Sequence, residues 1–467
     1  MYKLFLCLRY LQKKRIALCG VISVMLCVAL LIVVNSLFYG FINSYLKYTQ
    51  QIWGQIVFTP GLPLDDYAGL ADSFETIPAI RTAAPLIKTG ALLYLKTGDV
   101  RAVELLGINL EKQCRDTGFR QGLLIQNESN RIPSFNLPKT ATEKALAWTR
   151  QRHIDARPAG AIVGIGLWQE PNEQTDEFDI PAILRHIKTR KTPMIVTTGQ
   201  KPDNNRTVAL QKSTGFCWPV DVIQTGFYEA DSSYVYVPFD FLKNLLNSPD
   251  ENGRTNCLAQ IQITTKIGFN EDLALEQLHR HWRTYAHNTL HWSRDSIPSA
   301  HFIVTRKNPS LRMFLEEIRK QLWILQLILS LICVVVALLI FVILFMIVMN
   351  KKRDIGIIRS LGASRAAVAA IFLSYGAAIG AVGAGLGLIL GILATWNIDH
   401  LEDLLTKLLG FKIWKSGVYM FRQIPNEVAW HTVKWILLAG LIAAILGALL
   451  PAIRSARLQP VESLRYE

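Results

Sequence analysis

Four long, uncharged stretches constrain this chain more than any other feature of its sequence. They cover Ile16–Ile42, Leu322–Met349, Ala366–Trp396 and Trp435–Ile453. Each reaches or approaches the roughly 20 apolar residues that a helix needs to cross a bilayer. Four buried helices of a soluble core are the alternative, but apolar runs of this length are uncommon in soluble proteins. The sequence therefore predicts four transmembrane helices.

The positive charge of the chain is concentrated beside these stretches. Charged residues are only 18% of the chain, yet its formal net charge is +14. The basic clusters lie before the first stretch, between the second and third, and after the last: Lys3, Arg9, Lys13, Lys14, Arg15; Lys351, Lys352, Arg353, Arg359, Arg365; Arg454, Arg457, Arg465. With four spans these clusters share one side of the membrane, which the positive-inside rule places in the cytoplasm. The charge thus indicates orientation, with both termini cytoplasmic, and no nucleic-acid partner.

Span count and charge together predict the order of the domains. The segments are a cytoplasmic amphipathic N-terminus (1–15), a first span (16–42), an extracytoplasmic domain (43–309), a stalk with the second span (310–350), a cytoplasmic loop (351–365), a third span (366–396), an extracytoplasmic loop (397–434), a fourth span (435–453) and a cytoplasmic tail (454–467). The first span is too long for the apolar core of a signal peptide, and no small-residue cleavage site follows it. It is predicted to be an uncleaved anchor.

The large domain after the first span has a mixed α+β pattern. Ala91–Ile108 predicts a strand, a Thr-Gly-Asp turn and a second strand. Gln260–Thr264 alternates like a strand, Asn270 is a candidate N-cap of the helix that follows, and His301–Thr305 is another short strand. We predict a first part formed by residues 50–110 and 255–309, approximately, with a second subdomain of about residues 111–250 inserted into it.

Two further patterns concern the spans themselves. Ser310 is a candidate cap of a helix that continues to Asn350, about 60 Å long at 1.5 Å per residue. Since the hydrocarbon core is about 30 Å thick, part of this helix is predicted to stand outside the bilayer as a stalk. The third span contains six glycines, several of them four residues apart, a spacing that permits close helix packing: Gly376, Gly380, Gly383, Gly385, Gly387 and Gly391. Packing within one chain is favoured over a dimer seam.

The sequence contains no recognisable catalytic motif. It lacks a phosphate-binding G-x-x-x-x-G-K-[ST] loop, H-E-x-x-H and G-x-S-x-G. The histidines at 279, 281, 287 and 291 have no carboxylates at matching spacing, so a polar helix face is favoured over a metal site. Of the seven cysteines, Cys114, Cys217 and Cys257 fall in the large domain and allow at most one internal disulfide. We predict no catalytic, cofactor or metal site in this chain.

The loop between the second and third spans is the candidate functional site. Its apolar positions lie on one side of a short helix, its basic positions surround them, and Gly362 and Ser364 are suited to end that helix and to cap the third span. The candidate residues are Lys352, Arg353, Asp354, Ile355, Gly356, Ile358, Arg359, Leu361, Gly362 and Ser364. An ordinary basic loop is an equally good interpretation on physical grounds alone.

This loop resembles the signature loop of FtsX-like ABC transporter permeases, which have one span, a large exterior domain and three further spans. More closely, the chain resembles the lipoprotein-releasing (LolC/LolE-type) permeases. The resemblance also rests on Leu8–Leu11, Val222–Pro238, Gln423–Val428 and the tail Pro451–Glu467. Residues 111–190 match little apart from Ala161–Leu167, and Lys201–Thr207 is a weak candidate for the loop that passes cargo to a carrier.

The resemblance implies a MacB-like periplasmic domain, with a porter-like part and an inserted subdomain, in a bacterial inner-membrane protein. It implies a second permease subunit and a separate ABC ATPase that binds ATP and Mg, with Lys352–Ser364 as the coupling helix. The expected function is release of lipoproteins from the outer leaflet of the inner membrane, with membrane lipid, the lipoprotein and a periplasmic carrier as partners. The alternatives are a MacB-like export permease for peptides or antibiotics, and an FtsX-like mechanotransmission protein that regulates an extracytoplasmic enzyme.

Overall fold

A computed structural model of the chain describes most of its residues. These are residues 15–96, 99–115, 117–127, 132–151, 159–172, 175–189, 192–200, 211–246, 257–266, 268–292, 300–350, 355–357, 360 and 362–457. The chain forms two compact units. A helical unit comprises Met1–Ser44, Met313–Leu404 and Ile424–Glu467, and a sheet unit comprises Tyr45–Arg312 and Leu405–Gln423. The predicted N-terminal amphipathic segment up to residue 14, and Lys201–Thr207, lie outside the described residues.

The described helices and strands follow one another along the whole chain. The helices are α1 (Arg15–Trp53), α2 (Tyr67–Glu75), α3 (Leu110–Cys114), α4 (Thr117–Gln121), α5 (Lys139–Gln151), α6 (Ile180–Thr189), α7 (Tyr228–Ser233), α8 (Phe239–Leu246), α9 (Glu271–Asn288), α10 (Pro309–Asn350), α11 (Arg365–Trp396), α12 (Ile398–Leu409), α13 (Ser416–Tyr419) and α14 (Trp430–Arg457). The strands are β1 (Ile56–Thr59), β2 (Ile80–Lys96), β3 (Asp99–Ile108), β4 (Ala159–Gly164), β5 (Met194–Gln200), β6 (Gln211–Ile223), β7 (Tyr234–Pro238), β8 (Gln260–Thr265) and β9 (His301–Val304).

Among the described residues, four helices are long and apolar enough to cross a membrane. They are α1, α10, α11 and α14. The prediction of four spans is therefore confirmed. Three of the helices are longer than the uncharged stretches from which they were predicted. Helix α1 continues to Trp53, α10 begins at Pro309, and α14 runs from Trp430 to Arg457.

The glycines of α11 lie against other helices of the same chain. A Cβ added at Gly376 or Gly380 would meet Ala448 or Ala444 of α14, at 2.3 and 2.7 Å. Gly383, Gly387 and Gly391 instead face α1, where an added Cβ would come within 2.7–3.0 Å of Val24, Met25 or Ile32. Small residues let helix backbones approach this closely. Packing within one chain is thus confirmed for these five glycines, whereas a Cβ added at Gly385 would meet no atom of the described residues within 4 Å.

The start of α10 differs from the prediction. The helix begins at Pro309, and the side chain of Asn308 accepts a hydrogen bond from the backbone N–H of Ser310 at 3.0 Å. Asn308, and not Ser310, is therefore the cap. Proline suits the first helical position because it has no N–H that would need a partner there and its φ already fits a helix. The uninterrupted 42 residues of α10 correspond to about 63 Å.

The described residues of the sheet unit form nine strands, of which six pair in a closed cycle. The order β2–β3–β7–β4–β6–β5 returns to β2, with both parallel and antiparallel neighbours. The first half of β2 pairs instead with β8, which continues the sheet through β1 to β9. The long strand β2 thus belongs both to the cycle and to the open extension.

Several predicted elements are confirmed in this unit. β2 and β3 form the expected antiparallel hairpin, and β8 and β9 lie where alternation predicted strands. The side chain of Asn270 caps α9 by accepting from the N–H of Asp272 at 2.9 Å. The predicted first part of the domain, which extends to about residue 110, includes β2 and β3. In the structure these two strands pair with β5 and β7, which come from the predicted inserted subdomain. Because all nine strands belong to one sheet, the subdivision stays a prediction.

Candidate functional site

The candidate loop between α10 and α11 is described in part. Lys352, Arg353, Asp354, Ile358, Arg359 and Leu361 lie outside the described residues. Residues Ile355–Ile357 are helical, as the apolar spacing predicted. Ile355 and Gly356 are buried, and Ile357 is exposed. The described part of the loop therefore has a buried side and an exposed side.

Ile355 attaches this short helical segment to both neighbouring spans. Its side chain is 4% exposed and packs with Val348 of α10 and Val368 of α11, each 2% exposed. Ala363 and Phe372 complete this small cluster. A displacement of Ile355 would therefore act on the ends of two spans at once, because close-packed side chains transmit strain.

The residues that end the loop have the local geometry that the sequence predicted. Gly362 has φ +95°, a conformation that side chains with a Cβ rarely adopt. Two residues later, the Ser364 hydroxyl accepts a hydrogen bond from the N–H of Ala367 at 3.2 Å, and α11 begins at Arg365. Ser364 is thus confirmed as the N-cap of α11, and Gly362 permits the sharp change of direction before it.

The end of α14 contributes a contact that the sequence analysis did not identify. The guanidinium carbon of Arg454 lies 5.0 Å from the ring centre of Phe345, on α10. Such a cation–π contact is attractive at this distance. The helix continues to Arg457 because Ser455 and Ala456 remain buried beyond the predicted end of the span at Ile453. The remaining tail, residues 458–467, lies outside the described residues.

A second constellation surrounds Asp231 in the Val222–Pro238 segment. Its carboxylate accepts hydrogen bonds from the backbone N–H of Thr225 (2.6 Å), the Thr225 hydroxyl (2.8 Å) and the N–H of Gly226 (3.0 Å). Burial raises the pKa of Asp231 from 3.8 to about 6, against the lowering effect of these hydrogen bonds and of Arg422. The carboxylate therefore organises the turn that precedes α7.

This turn presents Phe227 to aromatic side chains from two other segments. The Phe227 ring lies 5.8 Å from Tyr45, 5.7 Å from Tyr48 and 5.6 Å from Phe421. Backbone hydrogen bonds join the same segments, from Tyr228 N–H to the Met420 carbonyl (2.8 Å) and from Arg422 N–H to the Gly226 carbonyl (3.1 Å). The turn thus fastens the end of α1 to the segment between α12 and α14, within the sheet unit.

Two patches that carried the family resemblance meet at this point. A Cβ added at Gly164 would lie 2.3 Å from the Asp231 carbonyl oxygen, and one at Gly166 would lie 3.1 Å from the same atom. The short Ala161–Leu167 patch therefore needs glycines to approach α7. Sequence reasoning did not single out Asp231 or Phe421; an acidic residue two positions after Glu229, between Tyr228 and Tyr234, was the available signal for Asp231.

Several histidines and cysteines belong to the sheet unit, where two of the histidine rings pack against phenylalanine rings. The rings of His279 and His281 pack edge-on against Phe302 and Phe74, and burial lowers the pKa of both histidines. Cys114 and Cys257 are free thiols, Cys217 is fully buried, and burial raises the pKa of Cys257.

Comparison with known proteins assigns the C-terminal part of the chain. Residues 318–460 match the family "FtsX-like permease C-terminal". The lipoprotein-releasing system transmembrane protein LolC of Xylella fastidiosa is 32% identical over 163 residues, which is 35% of this chain and 39% of that protein. LolE of Haemophilus influenzae is 35% identical over 119 residues, or 26% of this chain and 29% of the relative. The alignments thus span well under half the length of these relatives.

Two solved structures are also similar over part of the chain. The periplasmic region of MacB from Actinobacillus actinomycetemcomitans matches with 10% identity and a TM-score of 0.25, over 56% of this chain and 92% of that one. The extracellular domain of the transporter YknZ matches with 11% identity and a TM-score of 0.26, over 53% and 99%. At these scores no argument rests on the likeness.

The sequence resemblance that the loop first suggested is therefore confirmed where the family model applies. The matched region contains α10 from residue 318 onward, the candidate loop, α11 and α14. Residues 318–460 of this chain are thus similar to the C-terminal region of FtsX-like permeases.

Proposed function

We propose that the chain is the permease subunit of an ABC transporter that releases lipoproteins from the outer leaflet of the bacterial inner membrane. The identity of 32% to LolC, named as part of a lipoprotein-releasing system, carries this proposal. The similarity to LolE supports it. In this proposal a separate ATPase binds and hydrolyses ATP with Mg, and the present chain contributes no catalytic residue.

The candidate loop is the proposed docking point of that ATPase. Three features support this role: its basic composition, its short helical segment, and the packing of Ile355 on both α10 and α11. Movement of the docked ATPases would displace Ile355, and the displacement would pass directly to the two spans. Lys352, Arg353 and Arg359 are the proposed contacts with the ATPase, because their positive charge suits an acidic docking surface.

The length of α10 supports a route from this loop toward the other side of the membrane. An unbroken helix of 42 residues is about 63 Å long, roughly twice the hydrocarbon thickness of a bilayer. Because the helix has no internal break, a tilt or shift imposed near Asn350 would be transmitted along its length. This provides a mechanical link between ATP hydrolysis and work on a substrate outside the cytoplasm.

The remaining partners follow from the same proposal. A second permease subunit, either a copy or a paralogue, would complete the transporter, and a periplasmic carrier would receive the released lipoprotein. Both termini would be cytoplasmic, since the basic clusters flank the spans on that side. An export permease for peptides or antibiotics and a non-transporting regulator of an extracytoplasmic enzyme are the competing functions.

Reconstitution tests the role of the loop directly. The full chain is purified with the ATPase that co-purifies after in vivo crosslinking, and ATP hydrolysis and lipoprotein release to a carrier are measured in proteoliposomes. Gly356→Leu places a large side chain at a buried position, and Arg359→Glu reverses a basic one; both should abolish most release while basal ATP hydrolysis persists. Ser360→Ala is the control, because this exposed hydroxyl donates a hydrogen bond to the Ile357 carbonyl of its own turn.

The outcomes separate the competing functions. Failure to capture an ATPase would refute the proposal as a whole. Normal coupling in both Gly356→Leu and Arg359→Glu would refute the role of the loop. ATP hydrolysis coupled to the loop without any lipoprotein release would instead favour export of another substrate or regulation of an exterior enzyme.

A further inference from the structure

The segment from Leu405 to Val418 exposes an unusual amount of apolar surface. It includes the second half of α12 and the turn that leads to α13, all within the sheet unit. Leu408 is 75% exposed and Val418 is 70% exposed. The large exposed apolar residues of the segment are Leu405, Leu408, Leu409, Phe411, Ile413 and Val418. Single exposed apolar residues are ordinary, but a contiguous group of this kind marks an interaction surface.

The other side of the segment is firmly attached to the sheet unit. Asp176, buried and with φ 54°, accepts hydrogen bonds from the N–H and the hydroxyl of Ser416 at 2.9 and 3.1 Å. The indole N–H of Trp414 donates to the Phe421 carbonyl at 2.8 Å, and its ring stacks on Tyr419 at 4.2 Å. These contacts fix the backbone of the segment, and its exposed apolar side chains therefore stay on the outer side.

The charge of this segment indicates what kind of partner its apolar surface contacts. Between Leu405 and Met420 the sequence has three lysines, Lys407, Lys412 and Lys415, and no acidic residue. Exposed apolar side chains interleaved with lysines, beside a tryptophan and a tyrosine, are typical of segments that lie at the surface of an anionic bilayer. A protein partner with an acidic surface would match the lysines, but it would not need six outward apolar side chains in one short segment.

Chain connectivity keeps this segment near a membrane surface. Leu405 follows Trp396, the last residue of α11, by nine positions, and Val418 precedes Trp430, the first residue of α14, by twelve. Even fully extended, nine residues reach only about 30 Å. Because both neighbouring helices are apolar enough to span a membrane, a bilayer is the partner that connectivity places within reach.

We propose that the segment Leu405–Val418 is an interfacial anchor that binds anionic phospholipid in the leaflet on the side of the sheet unit. Its leucines, Phe411 and Val418 enter the acyl region, and Lys407, Lys412 and Lys415 contact the phosphates. Through Asp176 and Ser416 the bound lipid surface restrains the sheet unit itself. The inference does not depend on which substrate the protein moves.

Site-specific lipid quenching tests the proposal in the full chain. A genetically encoded, environment-sensitive fluorescent amino acid replaces Leu408 in one variant and Leu273 in the control. Leu273 is also a highly exposed leucine on a helix of the sheet unit. Both variants are placed in phosphatidylcholine nanodiscs, with or without phosphatidylglycerol, that contain lipids with a spin label on the acyl chain. We expect several-fold stronger quenching at position 408 than at position 273, and a further increase with phosphatidylglycerol.

Charge variants test the phosphate contacts separately. Replacement of all three lysines by glutamine should remove the effect of phosphatidylglycerol, and replacement by arginine should retain it. Equal quenching at positions 408 and 273 would overturn the proposal, and so would quenching at 408 that ignores lipid charge. Quenching between fluorophores of two chains in one nanodisc, without quenching by lipid, would show that a second copy covers this surface and would also overturn it.

Discussion

The contact between Gly376 of α11 and Ala448 of α14 allows a quantitative test of how the spans pack. A Cβ at position 376 would lie 2.3 Å from the Ala448 Cβ and 3.3 Å from the Ala444 carbonyl oxygen. Carbon atoms in favourable contact are about 3.5–4.0 Å apart. Gly376→Ala therefore forces the two helices apart by about 1 Å or more at this point, because neither Cβ can rotate away.

The matched control is Gly385→Ala in the same helix. Among the described residues no atom lies within 4 Å of a Cβ added at Gly385, so this change carries the effect of replacing glycine in a helix, a gain of up to about 1 kcal/mol. Overpacking typically costs about 1–3 kcal/mol. Since both variants replace glycine by alanine within α11, the difference between their free energies of unfolding isolates the packing cost, which we expect to be about 1–3 kcal/mol.

The assay is unfolding of the full chain in mixed micelles with an increasing fraction of SDS, followed by far-UV circular dichroism. A third variant, Gly376→Ala with Ala448→Gly, removes the opposing Cβ and should recover most of the loss once the single Ala448→Gly effect is subtracted. Equal changes in Gly376→Ala and Gly385→Ala, or no recovery in the double variant, would refute the packing described for α11 and α14.

Two other predictions concern Asp231 and a cysteine pair. The pKa of Asp231 is raised from 3.8 to about 6, so the folded protein binds more protons than the unfolded chain between these values. The contribution of Asp231 to the free energy of unfolding should therefore fall by about 2 kcal/mol as the pH rises from 3.8 to 6, and it should level off about one pH unit above 6. Urea unfolding of wild type and Asp231→Asn at several pH values measures it, and a pH-independent difference between the two would contradict the assignment. The Sγ atoms of Cys27 and Cys333, on α1 and α10, lie 3.2 Å apart. Mild oxidation with copper phenanthroline should give an intrachain disulfide between them, detected by mass spectrometry of non-reduced peptides and absent in Cys27→Ser. Exclusive linkage through the exposed Cys19 would show that α1 and α10 are paired differently.

Features that depend on a few neighbouring residues were predictable from the sequence. The four spans follow from the lengths of uncharged runs, and the caps at Asn270 and Ser364 follow from side chains that bond to a backbone N–H two or three residues ahead. The β2–β3 hairpin is local in the same sense. The prediction that Ser310 caps α10 was wrong, but the correct cap also depends on neighbouring residues. Asn308 caps this helix, which begins with proline at position 309.

The tertiary structure alone decided which distant segments meet. The sequence shows six glycines in α11, but only packing separates those that face α14, those that face α1 and Gly385, which faces neither. Asp231 is one acidic residue among many until burial and three hydrogen bonds make it the centre of a turn. The closed strand cycle combines parallel and antiparallel neighbours distant in sequence. Apolar length and charge act locally and can be read from the chain, whereas these contacts depend on the shapes of surfaces that exist only after folding.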